Sequence, residues 1–454
     1  MKIEETFELA FQNHKKNNLK IAEKLYKQIL EKQPKHFKTI FYLGTLSIQT
    51  KKFGKAKSYY EKVIQISPNY SEAHHNLGTI LQELGDFKKA ITCYEKAIQI
   101  NPNYASAHSN LGNLFNELGE YRKAVGCCEK AIQINPNYAS AHNNLGNAFK
   151  KLDKHKKAIT CYEKAIQVNP KYLLANYNLG KIFRELGRQS EAIKYFQKSN
   201  LTSSRAELLE CTYFSNNLNN YRKMLDKLTK EDPLNLRVAA IAAYVSKKEN
   251  IKNIYPFCKN PLNFIFIKNL KNELTFANKF LENLLKTLNT IRPVWEPTSY
   301  TTKGGYQTLG NLFDNKDSQI LKLQKIIEKQ IINYKEIYKD SKDLFIKKWP
   351  IESKFRGWYV KLFKQGHQKS HIHPTGWLSG VFYLKVPKLL NKNEGSIKFT
   401  LYGYDYPNDK KLPNLIHSPK IFDIALFPSS LFHCTIPFSS QEERQVIAFD
   451  IVPK

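Results

Sequence analysis

Hydrophobic positions in the first two hundred residues recur at helical spacing and, above that, with a longer beat. Gly44, Gly78, Gly112, Gly146 and Gly180 stand 34 apart, as do Pro34, Pro68, Pro102, Pro136 and Pro170. Ala22, Ala56, Ala90, Ala124, Ala158 and Ala192 keep the same interval. Apolar residues at i, i+3, i+4 and i+7 between these marks predict amphipathic helices. A beat of this length predicts helix pairs that bury little alone and gain a core by stacking. Leu77-Gly78 lets paired helices approach closely, Ala90 sits where they cross, and Tyr94, Tyr162 and Phe196 fill the next layer. Pro102 ends its helix in the turn. Clear repeats run over 36–200, preceded by a degenerate one with Ala10 where the others carry Gly.

Beyond the array, 202–230 and 234–248 keep helical spacing, with Pro233 between them. They are expected to form a degenerate repeat pair that caps the solenoid. Turn chemistry over 255–261 marks a boundary, and 276–289 reads as another helix. From Pro293 onward aromatic residues, β-branched residues and turns dominate, interrupted by one long helix over 318–338. Strands are expected at 357–362, 378–386, 396–401, 424–427 and 445–451. The organisation read from the pattern is a solenoid over 1–200, a helical cap or linker over 201–289, and a β-rich barrel or sandwich over 290–454.

The 34-residue beat with Leu-Gly, Ala, an aromatic and Pro is the tetratricopeptide signature. Its stacked pairs offer a long concave groove that suits a protein or peptide partner. Asn76, Asn110, Asn144 and Asn178 also fall 34 apart, each just before Leu-Gly. Stacking would place them in a ladder on the inner face, where a primary amide can both donate to and accept from an extended peptide backbone. The arrangement resembles the asparagine ladder in the repeats of O-linked N-acetylglucosamine transferases. The alternative is that these residues make bonds within the repeats. Lys150, Lys151, Lys181 and Arg184 add charge that a solvated helix face explains equally well.

Composition changes this picture little. Lys+Arg 71 against Asp+Glu 40 gives a formal charge of +31, which raises nucleic acid as a partner. The lysines are spread from end to end and no segment concentrates them, which argues against that partner. The seven cysteines form neither a disulfide framework nor a CxxC zinc site. Cys93, Cys127 and Cys161 share one repeat position and read as packing residues. No run of about 18 apolar residues is present, so no membrane span is expected, and the chain reads as cytoplasmic.

The candidate chemistry lies in Gly366-His367-Gln368-Lys369-Ser370-His371-Ile372-His373-Pro374-Thr375-Gly376-Trp377 and, later, in His433 and Arg444. On an extended strand, His371 and His373 share a face while Ile372 points away. Two imidazoles on one face are half a metal site for Fe, Zn, Cu or Ni. A third from a distant strand, His433, would complete it, and Arg444 could hold a carboxylate in a planar fork. His367 reads as a loop residue and His417 as a surface turn. Tyr359 and Trp377 read as core more readily than as pocket. Asp423 and Asp405 are the alternative carboxylates, though neither has suitable spacing.

These residues resemble the 2-oxoglutarate/Fe(II)-dependent oxygenase superfamily, whose pattern is His-x-Asp, a distal His, then Arg or Lys about ten residues on. They are most similar to a bacterial branch found behind tetratricopeptide repeats, in which the runs HIHPTGWLSGVFYLKVP, LFPSSLFH and ERQVIAFD are typical. The resemblance covers 290–454 and implies a double-stranded β-helix, or jelly-roll, fold. It also implies Fe(II) and 2-oxoglutarate, with ascorbate as an accessory reductant. His371 matches the first metal ligand, His433 the distal one, and Arg444 the cosubstrate anchor, with Tyr383 a second donor to the same carboxylate. His373 stands where the family carries a carboxylate, so His373→Asp is expected to keep or raise iron affinity. Two functions follow. One is a dioxygenase (hydroxylase) whose repeats recruit a protein or peptide substrate. The other is a repeat-based scaffold with a catalytically degenerate barrel.

Overall fold

In the computed structural model, which describes residues 2–297, 301–388, 391–403, 406–407 and 409–454, the N-terminal chain folds into successive antiparallel helix pairs. Ile3–Lys15 pairs with Leu19–Lys32, Phe37–Gln49 with Phe53–Ile66, Ser71–Glu83 with Phe87–Ile100, and Ala105–Glu117 with Tyr121–Ile134. Ala139–Lys151 then pairs with His155–Val168, and Leu173–Glu185 with Gln189–Ser199. The small residue of each first helix is dictated by its partner. A Cβ on Gly146 would stand 2.6 Å from the Tyr162 ring, and one on Gly112 would stand 2.6 Å from the Cys128 sulfur. Cys128 thus takes the layer position that Tyr94 and Tyr162 hold in neighbouring repeats. Each turn inside a pair closes with a left-handed residue, which is Gly85, Gly119 or Gly187 in three repeats and Asn17, Lys51 or Asp153 in the others. That is the usual way to end a helix and satisfy its last carbonyls.

The chain divides into two compact units, Met1–Leu201 and Thr202–Lys454. The helices after the array therefore belong with the β-rich region, not to a separate segment over 201–289. Three are observed where two were expected: Thr202–Phe214, Leu218–Glu231 and Leu236–Lys248. Asn216 adopts a left-handed conformation at the break, and the Asn217 side chain caps the following helix through the Asn220 N–H. Leu209, Ile241 and Tyr244 lie in one buried cluster with Phe280, Ile327, Trp377 and Phe449. At roughly 1.5–3 kcal/mol for each fully buried large apolar side chain, this shared core sets the division. Arg237 donates to Glu207 and Glu210, and the Tyr406 hydroxyl donates to Glu210 Oε1 at 2.7 Å.

The strands of the second unit are β1 (Phe266–Asn269), β2 (Val294–Trp295), β3 (Thr302–Gln307), β4 (Ser353–Gln368), β5 (Leu378–Lys385), β6 (Ile397–Thr400), β7 (Leu415–His417), β8 (Asp423–Pro428), β9 (Phe432–Thr435) and β10 (Arg444–Pro453). They form a seven-stranded sheet, β1-β8-β5-β10-β4-β3-β2, and a three-stranded sheet, β7-β6-β9, antiparallel throughout. Val360, Tyr383, Phe399, Phe427 and Val446 pack in the core that both sheets share, as in a jelly roll. The expected strands reappear with shifted ends. Strand β4 is much longer than foreseen, and β1 lies upstream of position 290, where the β-rich domain was expected to begin. The helix Ser318–Ile337 matches its expectation.

Candidate metal centre

His371 follows β4 and makes an isolated bridge with His433 on β9. Each donates its backbone N–H to the other's carbonyl, at 3.1 and 3.0 Å. His373 lies outside any strand, with its N–H on the Ser429 carbonyl at 2.9 Å. A shared strand face, the expected reason for His371 and His373 to converge, is therefore not the cause. The bridge and the Ser429 contact bring them together. Ligand nitrogens of His371, His373 and His433 lie within 4.8 Å of one another, and the ring centres are 4.3–5.0 Å apart.

Hydrogen bonds determine which nitrogens face inward. His371 Nδ1 meets the Lys369 carbonyl at 2.7 Å, and His433 Nδ1 meets the Leu431 carbonyl at 3.2 Å. A carbonyl only accepts, so both rings carry their proton on Nδ1 and keep the Nε2 lone pair. His373 Nδ1 is likewise engaged, by Asp450. Burial pushes His371 down to about 3, helped by the neighbouring His373, and carries His433 well below the usual histidine range. Both rings are therefore neutral, which is the form that ligates metal. Three inward ring nitrogens with partners on their outer sides fit a divalent transition metal.

Two cavities meet at this cluster. The outer one, about 320 Å³, opens past Thr301, Arg356 and Thr375 and reaches His371, His373 and Asp450. The inner one is narrow, about 20 Å³, with His371, His373, His433, Ile397, Phe427 and Arg444 in its wall. That leaves room for about one water. Arg444 opens β10 and is 1% exposed. Its Nε donates to the Gly395 carbonyl at 3.1 Å, its Nη2 donates to the Tyr383 hydroxyl at 3.4 Å, and its Nη1 has no partner among the described residues. Among the described residues no carboxylate pairs with it, and burial lowers its pKa.

The other candidates fall elsewhere. Tyr383 lies against Arg444, its ring 5.0 Å from the guanidinium carbon, and does not line the inner cavity. Tyr359 and Trp377 are core, bonded to Gln445 and to the Phe345 carbonyl. His367, next to the last residue of β4, lies outside the cluster. His417, expected in a surface turn, is on β7 and meets Asp423 at 2.8 Å. Asp423 also accepts from Asn269 and from the Lys420 N–H, so its oxygens are occupied away from the histidines. Asp405 lies outside the described residues. Asp450 escaped sequence reading, because a lone Asp inside the apolar run Val446–Val452 carries no metal-ligand spacing.

In the array, the four asparagine amides reach back to the preceding pair. Asn76 donates to the Tyr60 hydroxyl at 3.2 Å, and Asn110 meets His75 Nε2 at 2.9 Å. Asn144 donates to Ser109, and Asn178 donates to Asn143 and Asn147. Their N–H groups thus already link neighbouring repeats. No helix among the described residues is long and apolar enough to cross a membrane.

Residues 356–450 match the family model described as "Putative 2OG-Fe(II) oxygenase", a span that holds His371, His373, His433, Arg444 and Asp450. Tetratricopeptide repeat models match 39–70, 59–92, 78–119, 112–153, 139–172 and 161–194. The chain joins tetratricopeptide repeats to a domain of the 2OG-Fe(II) oxygenase type. Among solved structures, the chain is similar to MamA, at 30% identity over 34% of this chain and 91% of that one, with a TM-score of 0.31. It is similar to a tetratricopeptide repeat protein from Parabacteroides merdae, at 18% identity over 50% and 91%, with a TM-score of 0.43. It is also similar to YrrB, a repeat protein titled as having an unusual peptide-binding site, at 23% identity over 37% and 88%, with a TM-score of 0.33. No curated protein matches the chain.

Proposed function

We propose that the second unit is an Fe(II)- and 2-oxoglutarate-dependent dioxygenase that hydroxylates a protein or peptide. His371, His373 and His433 hold the metal, and Arg444 anchors the far carboxylate of the cosubstrate. The carrying observation is Arg444. A guanidinium this deeply buried, with no carboxylate partner and an unbonded Nη1 among the described residues, is costly to keep. It stands in the wall of a cavity that also holds the three histidines. A dicarboxylate spanning that cavity would neutralise it through a charge-assisted bond. Iron held there supplies the redox chemistry by which dioxygen and 2-oxoglutarate yield a hydroxylated product, succinate and carbon dioxide. The protein's part is to present three imidazoles, to exclude water with Ile397 and Phe427, and to leave the outer cavity for the substrate. Tyr383 supports Arg444 from behind, and ascorbate would serve only to keep the iron reduced.

The narrowness of the inner cavity favours a second reading, in which the repeats act as a scaffold and the barrel is inactive. A five-carbon dicarboxylate needs wall side chains such as Ile397 to turn aside. Anaerobic titration decides between the two. Fe(II) followed by 2-oxoglutarate is expected to give a metal-to-ligand charge-transfer band, and its absence with iron bound would leave the scaffold reading.

The repeats, on this reading, hold an extended polypeptide along the groove bearing Asn76, Asn110, Asn144 and Asn178. Replacing Asn110 and Asn144 together by Ala is expected to weaken capture of peptides on an array about 30-fold, at about 1 kcal/mol for each of two hydrogen bonds lost. Because both amides link repeats, a small drop in melting temperature should accompany it. Unchanged capture would remove the ladder from the binding surface.

A further inference from the structure

Behind His373 lies a polar cluster that the histidine motif does not announce. His373 Nδ1 donates to Asp450 Oδ1, and Ser379 Oγ donates to the same oxygen at 2.7 Å. Ser379 Oγ also meets Ser429 Oγ at 2.8 Å. Asp450, Ser379 and Ser429 are all buried. The sheet builds the cluster, since Asp450 on β10 registers with Ser379 on β5 and the Ser429 carbonyl holds the His373 N–H. Gly376 is small for the same reason. A Cβ there would come within 2.7 Å of Ser429 Oγ and 3.1 Å of Asp450 Cγ. Among the described residues no lysine or arginine forms an ion pair with Asp450, so its charge is directed at His373 and the hydroxyls.

We infer that Asp450 is the carboxylate of this metal centre, placed one shell out. It is a positioning residue that holds the His373 ring with Nε2 toward the metal. Through the imidazole it contributes the negative charge that a His-x-Asp pattern supplies by direct ligation. A carboxylate behind a ligating histidine orients the ring and raises its basicity. This rests on the metal reading given above. It also reverses the expectation for His373→Asp. A carboxylate at 373 would face Asp450 without the imidazole between them, and like charges in a buried site disfavour each other.

The test is a cycle of four full-length chains titrated with Co(II): parent, Asp450→Asn, His373→Asp, and the double variant. Asp450→Asn is expected to weaken Co(II) binding about 10- to 100-fold in the parent. In the His373→Asp background the same change is expected to strengthen it, because it removes the opposing carboxylate. An aspartate that merely supports the fold would not change the sign of its effect between backgrounds. Where Asp450→Asn does not fold, Asp450→Ser serves the same cycle. A parent that binds Co(II), with Asp450→Asn weakening both backgrounds or neither, overturns this proposal alone. A parent that takes up no Co(II) overturns the metal reading with it.

Discussion

His371→Ala and His433→Ala are each expected to abolish Fe(II) binding and, with it, turnover. Both rings are buried, both keep an inward Nε2, and each supplies one of the three ligand nitrogens that cluster among the described residues. Losing a ligand should therefore exceed the roughly 10- to 100-fold loss that follows removal of an outer partner. The fold should survive. The reciprocal bonds between positions 371 and 433 are made by backbone atoms, which alanine keeps. The measurement is anaerobic Fe(II) titration followed by 2-oxoglutarate, with melting of the metal-free protein as the control. A charge-transfer band that persists in either variant would place the metal elsewhere.

Arg444→Met is expected to have two effects of opposite sign. Met fills much of the same volume but removes a buried cation that has no carboxylate partner among the described residues, and replacing a buried charge by a well-packed apolar group is often neutral or stabilising by about 1–4 kcal/mol. The metal-free protein should therefore melt at the same temperature or higher. The 2-oxoglutarate needed for half-maximal band intensity should rise about 100-fold or more, in line with the roughly 2–5 kcal/mol cost of removing one partner of a buried charge pair. Fe(II) binding itself should be nearly unchanged. Arg444→Lys should fall between, since it keeps the charge and loses the planar fork. A 2-oxoglutarate requirement that does not move in Arg444→Met would mean that the cosubstrate, if it binds, is held by other groups. Together with a higher melting temperature, a raised requirement would show a residue kept at the expense of stability, as active sites commonly show.

Some of this protein could be read along the chain because the determining contacts are local. The 34-residue beat is visible because each repeat touches only its neighbours, so the same packing problem recurs and receives the same residues. Gly78 and Tyr94 meet within one helix pair. The long amphipathic helix Ser318–Ile337 and the strands β5 and β10 likewise show in apolar spacing alone. His371, His373, His433 and Arg444 stand out because those residue types, at those intervals, resemble a known pattern.

What tertiary structure decided depends on distant pairings. Strand β1 is only four residues long and has no alternation to betray it, and it is strand only because β8 offers an edge. The helices of 202–248 read as a cap for the repeats because their local pattern is repeat-like. Their buried face is shared with Phe280, Ile327 and Phe449, and only the folded core assigns them to the second unit. Asp423 and His417 read as independent residues and prove to be each other's partner. Asp450 is the clearest case, because within its own strand it is one polar residue in an apolar run. Only the β10–β5 register sets it against Ser379 and behind His373. A sequence displays residue types and local periods, and from these the repeat array and the three clustered histidines could be named. Which carboxylate stands behind which histidine is set by strand register, and register is fixed by the whole core at once.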